Sequence, residues 1–266
     1  MEKKEGLRVL FIGDIVGEPG RDAVKALLPD LVKDNLVDFV IANCENAAAG
    51  KGITPKITEY LLNTGIHVLT SGNHIWDRQE IIPYIGTQPR LLRPANFPRG
   101  APGTGYGVFE TKMGFKIGVA NLCGKLFMDS YEHPFLTALD LVNELSKHTR
   151  IIIVDFHAEA TSEKIAMGWY LDGKVSAIIG THTHVQTADE RVLPKGSSYI
   201  TDVGMTGSMD SVIGMDKEKA IKRFLTLIPT RLEPATDNVC LNGVLVDLDK
   251  DSGKSLGIKR IVVNAK

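Results

Sequence analysis

Residues 180–184 read Gly-Thr-His-Thr-His and close the apolar run Val175–Ile179. In an extended backbone, positions i and i+2 face the same way, so His182 and His184 are expected to project together from a strand end. Paired neutral imidazoles are the start of a transition-metal site. Four other strand-like runs end in comparable groups: Asp14 after 7–12, Glu45 and Asn46 after 38–42, Asn73 and His74 after 67–71, and His157 after 150–155. A single Asp or Asn behind a strand is ordinary turn chemistry. A whole series of strand ends supplying Asp, Glu, Asn or His is not, because ligands of open α/β sheets lie beyond the carboxyl ends of the strands.

The donor set narrows the chemistry. Asp14 offers a carboxylate, Glu45 a carboxylate able to bridge, Asn46 and Asn73 amide oxygens, and His157, His182 and His184 imidazoles. These exceed what one structural zinc takes and suit two metal ions. Mixed N/O ligation without thiolate favours iron or manganese, then zinc, over copper(I) or an iron–sulfur centre. Two cations about 3.5–4 Å apart activate a bridging water and stabilise charge on a phosphoryl oxygen. The expected reaction is phosphoester hydrolysis.

The elements that must position these groups alternate in the first half. Strand 7–12 is followed by a helix over 19–34, strand 38–42 by a helix that Thr54 caps and Pro55 opens, and Gly65 should end that helix before strand 67–71. Alternation of this kind builds a parallel sheet covered by helices. Later come a hairpin over 105–110 and 115–120, a helix over 134–147, strand 150–155, a helix over 162–171 and strand 175–179. Further strands within 191–203 and 239–263 flank a helix near 217–227. No repeat or low-complexity linker interrupts the chain, so the reading is one α/β domain over 1–266, two sheet halves face to face with helices outside.

Composition excludes several partners. The formal net charge is -1 over 266 residues, with basic and acidic side chains interspersed, which argues against a track for long nucleic acid. No stretch approaches the roughly 20 apolar residues of a membrane helix, and the charged start carries no signal-peptide pattern. Cys44, Cys123 and Cys240 are widely spaced, as in a reduced cytoplasm. The expected setting is therefore cytoplasmic, with a small phosphoester as partner and self-association left open.

The order Gly13-Asp14, Glu45-Asn46, Gly72-Asn73-His74, His157 and Gly180-Thr181-His182-Thr183-His184 resembles the calcineurin-like metallophosphoesterases. That resemblance implies a four-layer αββα sandwich around a dinuclear site. The stretches "FIGDIVGEPGR", "NCENAAAGKGIT", "SGNHIWD", "DFHAEATSEK", "GTHTHVQTAD" and "DVGMTG" together resemble the YmdB-type bacterial branch, which implies hydrolysis of 2′,3′-cyclic nucleotides. Two positions depart from the broad superfamily. Val16 stands where its first motif has a histidine ligand, and Glu45-Asn46 where its second has a bridging aspartate. Carried over, the resemblance implies one metal on Asp14, Glu45, Asn46 and His184 and a second on Glu45, Asn73, His157 and His182. Asn46 replaces the missing histidine.

His74 is surplus to both ligand sets and stands beside Asn73, so these two are expected to contact the phosphate, with His74 as the general acid that protonates the leaving alkoxide. Cys44 replaces a glycine expected in that branch and reads as a packing residue beside a metal carboxylate, with oxidation sensitivity the sharper reading. His67 reads as a satisfied core residue, while His133 and His148 sit at helix ends. Loop 121–135 is read as overhanging the site and the stretch 204–214 as lining the pocket or as a surface loop. A phosphomonoesterase or protein phosphatase with the same metals, and a nucleotide- or RNA-binding regulator that turns over slowly, are the competing functions.

Overall fold

Leu7–Ile12 alternates its side chains between two apolar interiors, Leu10 and Ile12 into one and Val9 and Phe11 into the other, as the period of two in a strand requires. That run is β1 (Gly6–Ile12), the centre of a sheet buried on both faces. After it come β2 (Asp14–Ile15), α1 (Gly17–Asp34), β3 (Phe39–Asn43), α2 (Pro55–Asn63), β4 (Val68–Thr70), α3 (Ile81–Ile85), β5 (Tyr106–Glu110) and β6 (Lys116–Cys123). The second half holds α4 (Pro134–Leu145), β7 (Ile152–His157), α5 (Thr161–Leu171), β8 (Ala177–Thr181), β9 (Arg191–Val192), β10 (Ser198–Ile200) and β11 (Met205–Ser208). It ends with α6 (Lys217–Thr226), β12 (Val239–Asp249) and β13 (Ser255–Asn264). The structure, a computed structural model, describes residues 6–129 and 132–265. The charged start at 1–5 and positions 130 and 131 of the 121–135 loop lie outside the described residues.

Two mixed sheets result. One runs β2-β11-β12-β1-β3-β4 with β13 added beside β12, and the other runs β5-β6-β7-β8-β10-β9. Parallel pairs β1–β3 and β3–β4 in the first, and β6–β7, β7–β8 and β8–β10 in the second, point their carboxyl ends to one rim. Val9, Phe11, Phe39 and Val68 of the first sheet pack with Val119, Ile153, Ile179 and Ile200 of the second. The opposite face of the first sheet meets Val24 and Leu28 of α1 and Leu61 of α2, and that of the second meets Ala138 and Val142 of α4 and Met167 of α5.

Local signals act where expected. Thr54 Oγ1 accepts the Ile57 N–H at 3.3 Å to cap α2, and Gly65, at φ +110°, takes the left-handed conformation just past its end. Strand 150–155 is displaced two residues onward as β7, and 175–179 likewise as β8, because each run continues into residues that stay buried, Phe156-His157 and Gly180-Thr181. The short α3 carries no periodic signal long enough to expect. Among the described residues no helix is long and apolar enough to cross a membrane.

Candidate metal centre

β8 stops at Thr181, so His182 and His184 are not strand residues, contrary to the alternation read from their spacing. Their φ values are +100° and +67°, and the chain passes the rim in a left-handed turn. Such conformations cost non-glycine residues of order 1–3 kcal/mol each and persist only where surrounding contacts over-determine them. The turn sends the two imidazoles to different corners of one site.

The first corner joins Glu45, His157 and His182. Glu45 Oε1 lies 3.0 Å from His157 Nε2 and 3.9 Å from His182 Nδ1, and the two ring nitrogens are 2.9 Å apart. Hydrogen bonds on the far sides assign the tautomers. His157 Nδ1–H donates to Thr181 Oγ1 at 2.9 Å, since that hydroxyl itself donates to Asp155 Oδ1 at 2.7 Å. His182 Nε2–H donates to Glu159 Oε2 at 3.1 Å. Two nitrogen lone pairs and a carboxylate oxygen therefore face one another, an arrangement that repels itself until a cation lies between them. These three residues form a group able to hold a metal ion, all their ligand atoms falling within 4.8 Å.

The second corner joins Asp14, Asn46 and His184. His184 Nδ1–H donates to the Ile213 carbonyl at 2.9 Å, which leaves Nε2 facing Asn46 Oδ1 at 3.2 Å and Asp14 Oδ1 at 3.9 Å. Asn46 Nδ2 donates to the Gly50 carbonyl at 3.0 Å, so its oxygen points inward. Asp14 Oδ2 accepts the His182 N–H at 3.3 Å. Asp14 Oδ1 and Asn73 Oδ1 are buried without any hydrogen-bond partner, and a buried orphan acceptor calls for an ion, a water or a strain account. Gly72 lets the corners close: a Cβ there would stand 2.2 Å from Glu45 Oε2 and 2.3 Å from His157 Nε2.

Electrostatics agree with the donor set. Burial, then the neighbouring Asp202, Glu45 and Asp155, push the Asp14 carboxyl well above its usual range. Burial opposes ionisation of Glu45 too, and positive charge on His157, His182 and His74, where those rings are protonated, outweighs it and draws that carboxyl well below the ordinary value, as a cation in their place would. Burial lowers His157 to about 4 and lowers His184, so both stay neutral and ligand-ready. Crowded carboxylates beside neutral imidazoles fit a cationic centre.

His74 stands at the edge of the first corner. Its N–H donates to Glu45 Oε2 at 3.3 Å, its Nε2 is 3.5 Å from Asn73 Nδ2, and its Nδ1 is 3.1 Å from Asp77 Oδ2. Asp77 only accepts, so Nδ1 carries a proton and Nε2 accepts from Asn73 Nδ2. His67, by contrast, accepts the Val40 N–H and stacks on Phe39; His133 packs on Phe135, and His148 pairs with Glu144. Cys44 is buried with its Sγ on the Thr70 carbonyl, and burial raises its thiol well above the usual range, as a packing residue requires.

Of the two loops, 121–135 starts at the site, where Gly124 N donates to His157 O, and Phe127 is 89 % exposed. The stretch 204–214 touches the site through the Ile213 carbonyl, which holds the His184 ring. Sequence reading places Asn43, Asp155 and Thr181 among the polar strand ends and gives these supports no role. Asn43, Asp155 and Thr181 form a buried chain: Asn43 Nδ2 donates to Asp155 Oδ2, and Asn43 Oδ1 accepts the Glu45 N–H, both at 3.0 Å. Asp77 and Glu159 orient His74 and His182. Polar residues inside otherwise apolar strand runs were the available signal for Asn43 and Asp155; Glu159 is half exposed and gave none.

Comparison with known proteins is consistent along the chain. The family model described as YmdB-like protein matches residues 10–261. A 2′,3′-cyclic-nucleotide 2′-phosphodiesterase of Bacillus subtilis (strain 168) is 51% identical over 258 residues, 97% of either chain. Among solved structures, a hypothetical protein from Thermus thermophilus superposes with a TM-score of 0.91 at 40% identity, covering 98% of this chain and 100% of that one. A structure described as a novel phosphatase from Mycoplasma pneumoniae also gives 0.91, at 36% identity, covering 98% and 95%.

Proposed function

The chain belongs to the YmdB-like family, and on that premise we propose that it is a dinuclear metal-dependent phosphodiesterase that hydrolyses small phosphoesters, 2′,3′-cyclic nucleotides first among them. The observation that carries the reading is the convergence of Glu45 Oε1, His157 Nε2 and His182 Nδ1, lone pair to lone pair, beside the orphaned oxygens of Asp14 and Asn73. In this reading Asp14, Glu45, Asn46 and His184 hold one ion and Glu45, Asn73, His157 and His182 the other, with iron or manganese before zinc by donor type. The fold is a single metallophosphoesterase domain, a four-layer αββα sandwich, supported by three apolar interiors between helix, sheet, sheet and helix. Free and buried Cys44, Cys123 and Cys240 support a cytoplasmic setting.

When bound, such a pair of ions supplies an activated water and neutralises charge building on the phosphoryl group. The chain's own residues do the rest. Glu45 and Asp14 fix the spacing of the two corners. Asn73 and His74 meet the phosphate at the rim, and His74 delivers a proton from Nε2 to the departing alkoxide. Asp77, on Nδ1, stabilises the imidazolium that must exist before that transfer. A phosphomonoesterase reading draws support from the Mycoplasma pneumoniae structure described as a phosphatase and from a relative of that organism, 37% identical, named "Putative phosphatase/phosphodiesterase".

The test is a panel of 2′,3′-cyclic mononucleotides, linear dinucleotides and phosphomonoesters, given to protein loaded with Mn²⁺ or Fe²⁺. Fastest turnover of the cyclic diesters is expected. Faster release of phosphate from monoesters would transfer the assignment, and cyclic-nucleotide binding without product would mean a regulator.

A further inference from the structure

Two of the stretches singled out in the sequence, "DFHAEATSEK" and "DVGMTG", end and begin on residues outside either corner, Lys164 and Asp202. Both are buried, Lys164 on α5 and Asp202 just beyond β10, and Lys164 Nζ donates to Asp202 Oδ2 at 2.7 Å. A buried lysine is rare, and neither side chain reaches the first corner or the second. What the carboxylate touches is the turn between them. Asp202 Oδ2 also accepts the Thr183 N–H at 3.0 Å and the Thr183 hydroxyl at 2.7 Å, while Oδ1 accepts the Gly204 N–H at 2.8 Å. Thr183 stands between His182 and His184, the two residues in left-handed conformations.

We propose that the buried Lys164–Asp202 pair is a latch that sets the geometry of the His182–His184 turn, and so the spacing of the two metal corners. The physical case has three steps. A strained turn relaxes unless it is held from outside, and Asp202 grips its middle residue by both backbone and side chain. A carboxylate that accepts several hydrogen bonds in a buried place needs a counter-charge, which Lys164 supplies through direct contact. Groups that orient metal ligands without touching the ion change metal affinity when altered, typically about 10–100-fold. Lys164, Asp202 and Thr183 are positioning residues in this account, and the account rests on the metal reading given above.

The experiment compares wild type, Lys164→Met and Thr183→Val. Mn²⁺ binding is measured by calorimetric titration of chelator-stripped protein, and backbone hydrogen exchange is followed over the whole chain before metal is added. Lys164→Met should lower Mn²⁺ affinity at least tenfold and raise exchange selectively over 180–186. Thr183→Val keeps the ion pair and loses one hydroxyl contact, so it should fall several-fold in the same direction. If Lys164→Met does not fold, Thr183→Val decides. Wild-type affinity and unchanged exchange in the variants would overturn the latch, as would a uniform rise in exchange across every element. Wild-type protein that binds no Mn²⁺ would instead defeat the metal reading, and selective exchange at 180–186 would then judge the latch on its own.

Discussion

His157 and His184 are both neutral, buried imidazoles oriented by one hydrogen bond from Nδ1, yet different kinds of structure hold them. His157 leans on Thr181, which leans on Asp155 and Asn43, all buried side chains at the ends of three strands. His184 leans on the Ile213 carbonyl, and its neighbour Asn46 on that of Gly50. Ile213 is 53 % exposed, and the excursion it opens runs to α6, where Ala220 alone is buried. His157 is thus braced by sheet side chains and His184 by loop main chain. Because local opening is easiest where few buried contacts oppose it, the Asp14–Asn46–His184 corner should be the one that loosens first.

In the two-ion reading proposed above Glu45 is shared by both corners, and its loss should erase the contrast. Glu45→Gln should bind neither ion tightly and reduce turnover of a 2′,3′-cyclic nucleotide to background, the largest effect of any single change. Elemental analysis beside a turnover assay checks this; a variant that kept two equivalents of metal and full activity would remove the bridging role.

His74 belongs to neither corner, which gives the second prediction. His74→Ala should keep its metals and lose about 10²–10⁴-fold in rate on substrates with poor leaving groups. The loss should shrink for nitrophenyl esters, whose leaving group needs little protonation. Loss of metal would make His74 a ligand support, and an equal loss on both substrates would leave phosphate contact as its part.

Next in size, Thr181→Val cuts the sheet brace without touching a ligand. It should weaken metal binding at the Glu45–His157–His182 corner by about 10–100-fold, leaving the other corner as it was. Titration with Mn²⁺ would then show one step displaced and one retained. Displacement of both steps together would mean the two corners are a single cooperative unit.

The difference between corners also explains what the sequence made legible. Strand ends announce themselves: apolar runs stop at Asp14, Glu45 and His157, and only a rim shared by both sheets gathers such residues. Thr54-Pro55 and Gly65 marked α2 because caps are local chemistry. The supports were hidden where they depend on distant segments. Nothing near Lys164 says that it meets Asp202, 38 residues later. Ile213 acts through its carbonyl, which every residue possesses, so its type carried no signal. The spacing of His182 and His184 was read with strand geometry, and the structure instead uses a left-handed turn, a choice that residue type disfavours and tertiary contacts impose.

The smallest expected effect falls on the loop-braced corner and tests the contrast most sharply. Gly214 follows Ile213 at φ +92°, and a Cβ there would stand 2.8 Å from Val16 Cγ1 and 3.2 Å from Met205 Sδ. Gly214→Ala therefore strains the backbone and crowds Val16 and Met205 at the peptide that carries the Ile213 carbonyl. The crowding reaches the first sheet through Met205 of β11, the register partner of Asp14, and does not reach β7 or β8. Several-fold weaker binding is expected at the Asp14–Asn46–His184 corner alone, with faster hydrogen exchange over 209–215 and unchanged exchange in β7 and β8. Equal weakening of both Mn²⁺ steps, or added exchange in β7, would show that the loop and the sheet hold one site in common and that the division into two corners is wrong.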